Sequence, residues 1–398
     1  MRPHLLLTYD FPPIGGGIAR FMGELTRHYP PGGLIVSTGQ QPDTSEVDAR
    51  FPNRVDRVPI SAGRLKTIQG LLLWSRRVCA LARGADVEFV WCGNIKPACY
   101  PAKWTRERIG VPYGVMVYGM DLLILQHQIH QSRLKRQAAR LLLGSSAGIV
   151  AISTWTRELC LNLLRDLDLD ADEGRVRLVP LGTDPVHFRP GVASAEVCAR
   201  YGLEPGRWLL TVARLTEHKG IDTGIRVLAA LARQYPDLRY AVVGSGDRLA
   251  EFEALARALH VGDRVRFLTQ VPDADLPALY NNAELYLGVS RRTPRQVEGF
   301  GISLVEASAC GIPVVGGRSG GIQDAVRDGE TGVLVDADDP AEVTGAVGML
   351  LEDRPLAARL GQGGRRAVET FYNWNRVVAD LRTIAAELSA TERRGSVS

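Results

Sequence analysis

Two glutamates carry the most chemistry in this sequence. In the stretch VEGFGISLVEASACGIPVV, Glu298 stands before the turn Gly299-Phe300-Gly301, and Glu306 follows after seven intervening residues. A helix that opens at Ile302 and ends near Ala309 carries Glu306 just over one turn inside it. The first N–H groups of a helix have no partner within the helix and suit an anion such as phosphate. Carboxylates accept hydrogen bonds from hydroxyls, including those of sugars and ribose. The pair therefore suits recognition and orientation of a phosphate-bearing, hydroxyl-rich ligand better than metal binding. Two bare glutamates would be a loop charge and a surface helix residue. The glycine turn, the helix and the apolar strand IPVV behind it shift that balance.

Other motifs repeat the same logic. In TVARLTEHKGID, Arg214 and Lys219 stand just past an apolar strand, and Gly220 opens the next helix. A planar guanidinium fork and a compact ammonium could grip a diphosphate between them. YAVVGSGD is a further strand ending in a glycine turn, at Gly244 and Gly246. YDFPPIGGGIARF places Gly15, Gly16 and Gly17 between a strand and a helix, where the backbone can approach an anion. Alone, each of these is an ordinary turn. The glycine run matches neither a Walker loop nor GxGxxG, so neither an NTPase nor a dinucleotide enzyme is indicated.

The elements that must position these residues are readable as an alternation. Apolar runs of strand length (HLLLTYD, GLIVST, VEFVWCG, YGVMVYG, GIVAIS) are separated by helical stretches, which predicts a parallel sheet covered on both faces. A Pro- and Gly-rich break, VPLGTDPVHFRPGV, ends this series. A second begins at RWLLTVAR and continues through YAVVGSG, VRFLTQV, ELYLGVS, IPVVGG and GVLVDA. The fold class expected is α/β, with two doubly wound, Rossmann-like domains at 1–185 and 190–371. A long amphipathic helix follows from about Trp374, and the tail ATERRGSVS is expected to fray. In open α/β sheets, ligands bind beyond the carboxyl ends of the strands, and the motifs above lie there.

Composition narrows the class. The 398 residues are 45% hydrophobic and 23% charged, as in soluble globular proteins. Six scattered cysteines form no CxxC pair and no Cys/His cluster, so neither a zinc site nor a disulfide framework is expected, and the thiols should be buried and reduced. The first residues do not read as a signal peptide, and no stretch reaches the length of a membrane-spanning helix. Charge is uneven: residues 1–190 hold 24 Lys+Arg against 17 Asp+Glu, and the remainder 24 against 27. The excess peaks over residues 60–145, which also contain GLLLWSRRV. That combination suggests docking on an anionic membrane and a lipid-linked acceptor, against the plainer reading of solvated arginine-rich helices. No aromatic-interleaved basic platform for nucleic acid is present.

The order of motifs resembles a known family. GGG near the start, VPLGTD..HFRP, ARLTEHKG, VVGSGD, AELYLGVSRR, EGFGISLVEASACGIPVV, GGIQDAV and GETGVLV together resemble the retaining glycosyltransferases of family 4, with the GT-B fold. The look is nearest to phosphatidylinositol mannosyltransferase-type enzymes. The resemblance implies transfer of a hexosyl group from a nucleotide-diphosphate sugar to an acceptor hydroxyl, with no cofactor and no metal required. It implies that Arg214 and Lys219 bind the donor diphosphate, Glu298 the transferred sugar and Glu306 the ribose. It places the backbone of Gly299, Phe300, Gly301 and Ile302, with Gly244, around the donor, Gly16 and Gly17 against the diphosphate, and base contacts near Arg266. It implies that the final helix, 372–398, crosses back onto the first domain. A cytoplasmic location with peripheral membrane contact fits this picture. Where the family often has a histidine, this chain has Tyr118, followed by Gly119 and Asp121; tyrosine is a poor base near neutral pH. His127 and His130, further on, read as solvated. Two competing readings share the fold: a nucleotide-sugar epimerase and a catalytically silent sugar-nucleotide-binding subunit.

Overall fold

The structure, a computed structural model, describes residues 2–42, 44–193, 195–203, 206–294 and 296–395. The chain divides into two compact units. One is Met1–Val179 together with Trp374–Ser398, and the other is Pro180–Asn373.

The first unit is built on a parallel sheet of β1 (His4–Leu7), β2 (Leu34–Gln40), β3 (Arg54–Ser61), β4 (Phe89–Cys92), β5 (Tyr113–Val117), β6 (Gly148–Ala151) and β7 (Val176–Leu178). Its strand order is β3-β2-β1-β4-β5-β6-β7. The central strands are buried at every position, because helices cover both faces. The two edge strands escaped the sequence reading. RVDRVPIS in β3 alternates charged and apolar residues, and β7 is three residues long. The helix Trp374–Gly395 packs in this unit: Trp374 stacks on Phe21, and Arg106 pairs with Glu392. The tail expected to fray instead continues this helix as far as Gly395, because Leu388 and its neighbours are held against the sheet; the last three residues lie outside the described ones.

The second unit is a parallel sheet of β8 (Arg207–Val212), β9 (Leu238–Val243), β10 (Val265–Leu268), β11 (Leu285–Gly288), β12 (Val314–Gly317) and β13 (Gly332–Val335), in the order β10-β9-β8-β11-β12-β13. Leu209, Tyr240, Val242, Leu285, Leu287 and Val315 form the centre of its core. All six cysteines are buried.

Each sheet has one point where the chain reverses its direction of strand addition. In the first sheet it lies between β1 and β4, in the second between β8 and β11. A crevice opens at such a point beyond the carboxyl ends of the strands, and there the fold leaves room for a ligand.

Candidate functional site

In the second unit, the segments leaving β8 and β11 flank the reversal point. The first carries Arg214, His218 and Lys219, and the second runs from Val289 to Glu298. The 3-10 turn Glu217–Lys219 ends at Gly220, which opens the helix Ile221–Leu231. Lys219 Nζ donates to Glu298 Oε2. Burial pushes the Glu298 carboxyl up, but Lys219, His218 and Arg214 together outweigh it and hold the group below the usual carboxylate value. Glu298 is thus ionised at neutral pH. The Arg214 side chain is exposed, and its guanidinium makes no hydrogen bond or ion pair among the described residues. A cation held near the pair and left without a carboxylate of its own is what an anionic ligand would meet.

The helix Ile302–Ala309 forms where the sequence placed it. Gly301 caps it with φ at +97°, a left-handed conformation that only glycine adopts cheaply, and offers no side-chain acceptor to the first turn. Gly299 is half-buried, as is Ile302. The Phe300 side chain is 2% exposed and packs near Tyr372, so it is a core residue and only its backbone can reach a ligand. Glu306 is 1% exposed, and its Oε2 accepts from the Tyr280 hydroxyl at 2.8 Å. It is therefore no surface residue.

Gly244 follows β9, where a Cβ would lie 2.0 Å from the carbonyl oxygen of Ala213. Only a residue without a side chain lets the two strand-end segments come this close. Arg266 contradicts the expectation of a base contact. It lies on the edge strand β10, and its Nη1 donates to the carbonyls of Asp263, at 2.9 Å, and Val265. Asp263 precedes the strand, so the guanidinium is turned toward the amino end of the sheet, away from the ends where ligands bind.

In the first unit, Gly16 caps the helix Gly17–His28, and neither Gly16 nor Gly17 has a neighbour that a side chain would meet. Tyr118 is buried. Its hydroxyl donates to the carbonyl of Gly93 at 2.9 Å, and burial, reinforced by Asp121 and Asp10, pushes the phenol well above its usual value. It holds β5 to β4 and is no base. Asp121 sits in the first turn of the helix Met120–Gln131. Its Oδ1 accepts from the Tyr118 N–H at 3.0 Å, and burial lifts its pKa to about 6 against the pull of backbone donors. Its Oδ2 is buried without a hydrogen-bond partner among the described residues. His127 and His130 are exposed on the same helix.

Sequence reasoning missed a polar group at the reversal point between β1 and β4. Asn94 Nδ2 donates to Asp10 Oδ2 at 3.2 Å, and Thr8 Oγ1 lies 3.1 Å from Asn94 Oδ1. Burial raises the Asp10 carboxyl, opposed by Asn94 and by Lys66, whose ammonium lies 4.0 Å from the centre of the Tyr9 ring. The signal was TYD directly after an apolar strand. Its partner Asn94 is 84 positions away from Asp10.

Among the described residues, no group of three or more His, Cys, Asp or Glu side chains could hold a metal ion. No helix among them is long and apolar enough to cross a membrane.

Two family models match the chain: "Glycosyl transferase 4-like domain" over residues 16–182, and "Glycosyl transferases group 1" over residues 201–367. The GDP-mannose-dependent alpha-(1-6)-phosphatidylinositol monomannoside mannosyltransferase of Mycolicibacterium smegmatis is 32% identical over 389 residues, covering 93% of this chain and 94% of the relative. The D-inositol 3-phosphate glycosyltransferase of Salinispora tropica is 39% identical over 239 residues, 56% of this chain and 48% of the relative. Sucrose-phosphate synthase from Thermosynechococcus elongatus shares the fold at a TM-score of 0.76 and 22% identity, covering 98% of this chain and 100% of that one. Kinship that runs the length of the first relative, on a fold of two reversal-point sheets, makes this chain a member of the family 4 glycosyltransferases of GT-B fold, retaining enzymes that move a hexosyl group from a nucleotide sugar to an acceptor hydroxyl.

Proposed function

We propose that this chain is a GDP-mannose-dependent mannosyltransferase whose acceptor is an inositol phosphate carried on a lipid. The observation that carries the donor half is the Lys219–Glu298 pair beside the unpaired Arg214 at the reversal point of the second sheet. The donor and the inositol-containing acceptor are named in the relatives above, and mannose agrees with the one that matches along its whole length.

In this reading the second unit binds the donor. Arg214 and Lys219 take the diphosphate, Glu298 a sugar hydroxyl, and Glu306 the ribose. The first unit binds the acceptor, with Asp10, Asn94 and Asp121 orienting its hydroxyls. The acceptor oxygen bonds to the anomeric carbon on the face that the diphosphate leaves. The bond to the diphosphate breaks, and its oxygen takes the hydroxyl proton. Positioning and charge stabilisation at the leaving group supply most of the acceleration, and no metal is needed. Tyr118 then costs no base, because the leaving group is the base.

The lipid half rests on surface chemistry of the first unit. Ile68, at 79% exposed, with Leu72 and Leu73 shares the helix Ile68–Gly84 with exposed Arg76. Leu134, at 78%, and Leu141 share the helix Arg133–Gly144 with Arg133, Lys135, Arg136 and Arg140. Exposed apolar side chains among cations suit an anionic bilayer surface.

The test is a panel of GDP- and UDP-sugars, with and without phosphatidylinositol acceptors, read by product mass and anomeric proton coupling. GDP-mannose consumed to an α-mannosylated lipid supports the reading. Sugar isomerised without acceptor would instead indicate an epimerase, and tight binding without turnover a silent subunit.

A further inference from the structure

The segment after β11 must return a carboxylate to Lys219, and four hydrogen bonds hold its described residues. The Arg291 N–H donates to the carbonyl of His218 at 2.8 Å. His218 Nδ1 lies 2.8 Å from Gln296 Oε1. Gln296 is itself held by Thr293, its N–H donating to Thr293 Oγ1 at 3.0 Å while the Thr293 N–H donates to its carbonyl at 2.9 Å. Gln296 stands two residues before Glu298, and His218 directly before Lys219. With Gln296 Oε1 as its acceptor, Nδ1 carries the proton, and Thr216 Oγ1 lies 3.2 Å from the same nitrogen.

The ring is 3% exposed. Burial, with Lys219 and Arg214 nearby, pushes it below its usual value against Glu298 and Gln296, so it is neutral at physiological pH. At physiological pH it therefore adds no charge to the Lys219–Glu298 pair; its pull on Glu298 acts only at acid pH, where the ring is protonated. Its contribution is directional: one rigid ring ties the turn that carries the cation to the loop that carries the carboxylate. A second tie lies just beyond the turn, where the Arg291 guanidinium donates to Asp222 Oδ1 at 3.0 Å and Oδ2 at 2.9 Å.

We propose that His218 is a positioning residue for transfer: through Gln296 it fixes Glu298 opposite Lys219 and so orients the sugar half of the donor. The grip on the diphosphate stays with Arg214 and Lys219. This rests on the donor site described under Proposed function.

The experiment compares His218→Leu, Gln296→Leu, their double variant and His218→Asn, whose amide N–H can replace the Nδ1 donor. Affinity for GDP alone stays within about twofold of wild type in all four, while turnover of GDP-mannose falls about tenfold or more in both leucine variants. The double variant is no worse than either single one, as for two halves of one interaction, and His218→Asn recovers most of the loss. Amide hydrogen exchange over 291–298, measured without any donor, quickens in both leucine variants. Unchanged exchange there, losses that multiply in the double variant, or GDP affinity that falls as far as turnover would each overturn the proposal. Lys219→Ala and Glu298→Gln separate the two readings. If both retain turnover, the donor site itself is misassigned. If both lose it while His218→Leu does not, only this inference fails.

Discussion

Lys219 and Glu298 are 79 positions apart in the chain, yet the Lys219 ammonium donates directly to the Glu298 carboxylate. Each half leaves a partly buried charge uncompensated when the other is removed, which destabilises more than removing both. Lys219→Ala and Glu298→Ala are each expected to cut turnover at least about 100-fold. The double variant should melt above the less stable single variant. Because the Glu298 pKa lies below its ordinary value, the pair stabilises the protein above the usual carboxylate range, and that stability is lost as pH falls through the lowered value. Melting temperature against pH, for wild type and Glu298→Gln, reads this directly.

Tyr280→Phe removes the donor to Glu306 without opening a cavity. The buried carboxylate then lacks a partner on Oε2, and stability should fall by about 1–3 kcal/mol in a denaturant titration. If Glu306 holds the ribose, nucleotide affinity should fall with it.

Asp121 has the opposite sign from Glu298. Its pKa, lifted to about 6 chiefly by burial, lies above that of an unfolded aspartate. Its protonated form is favoured in the fold, so stability is highest at pH below about 4, declines as pH rises to about 6 and is level beyond. Asp121→Asn keeps an acceptor for the Tyr118 N–H and removes the ionisation. It should match wild type at pH 4 and exceed it at pH 8 by up to roughly 3 kcal/mol, measured by denaturation at both pH values.

Leu134→Glu with Leu141→Glu places acids among the cations of the helix Arg133–Gly144, at positions exposed already. Folding should be unaffected. Co-sedimentation with phosphatidylglycerol vesicles should drop several-fold, and wild-type binding should weaken with added salt. Equal wild-type binding to neutral and anionic vesicles, or to neither, removes the membrane from the proposal.

The sequence made the sheet interiors legible and the edges of the first sheet obscure. Internal parallel strands are rich in apolar residues, and all nine among the described residues announce themselves this way, as in VEFVWC, YGVMV and YAVV. β3 shows the other case: with one side unpaired it keeps Arg54, Asp56 and Arg57, and its pattern resembles a loop. The same contrast governs the site. Lys219, Glu298 and the helix after Gly301 are visible because they sit in local turns with a spacing. Gln296 and His218 carry no such signal, since their contact exists only once β8 and β11 lie side by side. Whether a phenylalanine in a glycine turn faces a ligand or the core is decided by Tyr372, far along the chain.

The first unit is discontinuous, completed by the helix Trp374–Gly395 after an intervening unit of its own. Synthesis on a ribosome runs from one end, so Phe21 is made long before the Trp374 ring that stacks on it. The intervening unit, contiguous in the chain, can close its core while the earlier one still exposes apolar surface. Nascent chains halted before residue 374 should therefore carry one finished unit and one that chaperones still hold.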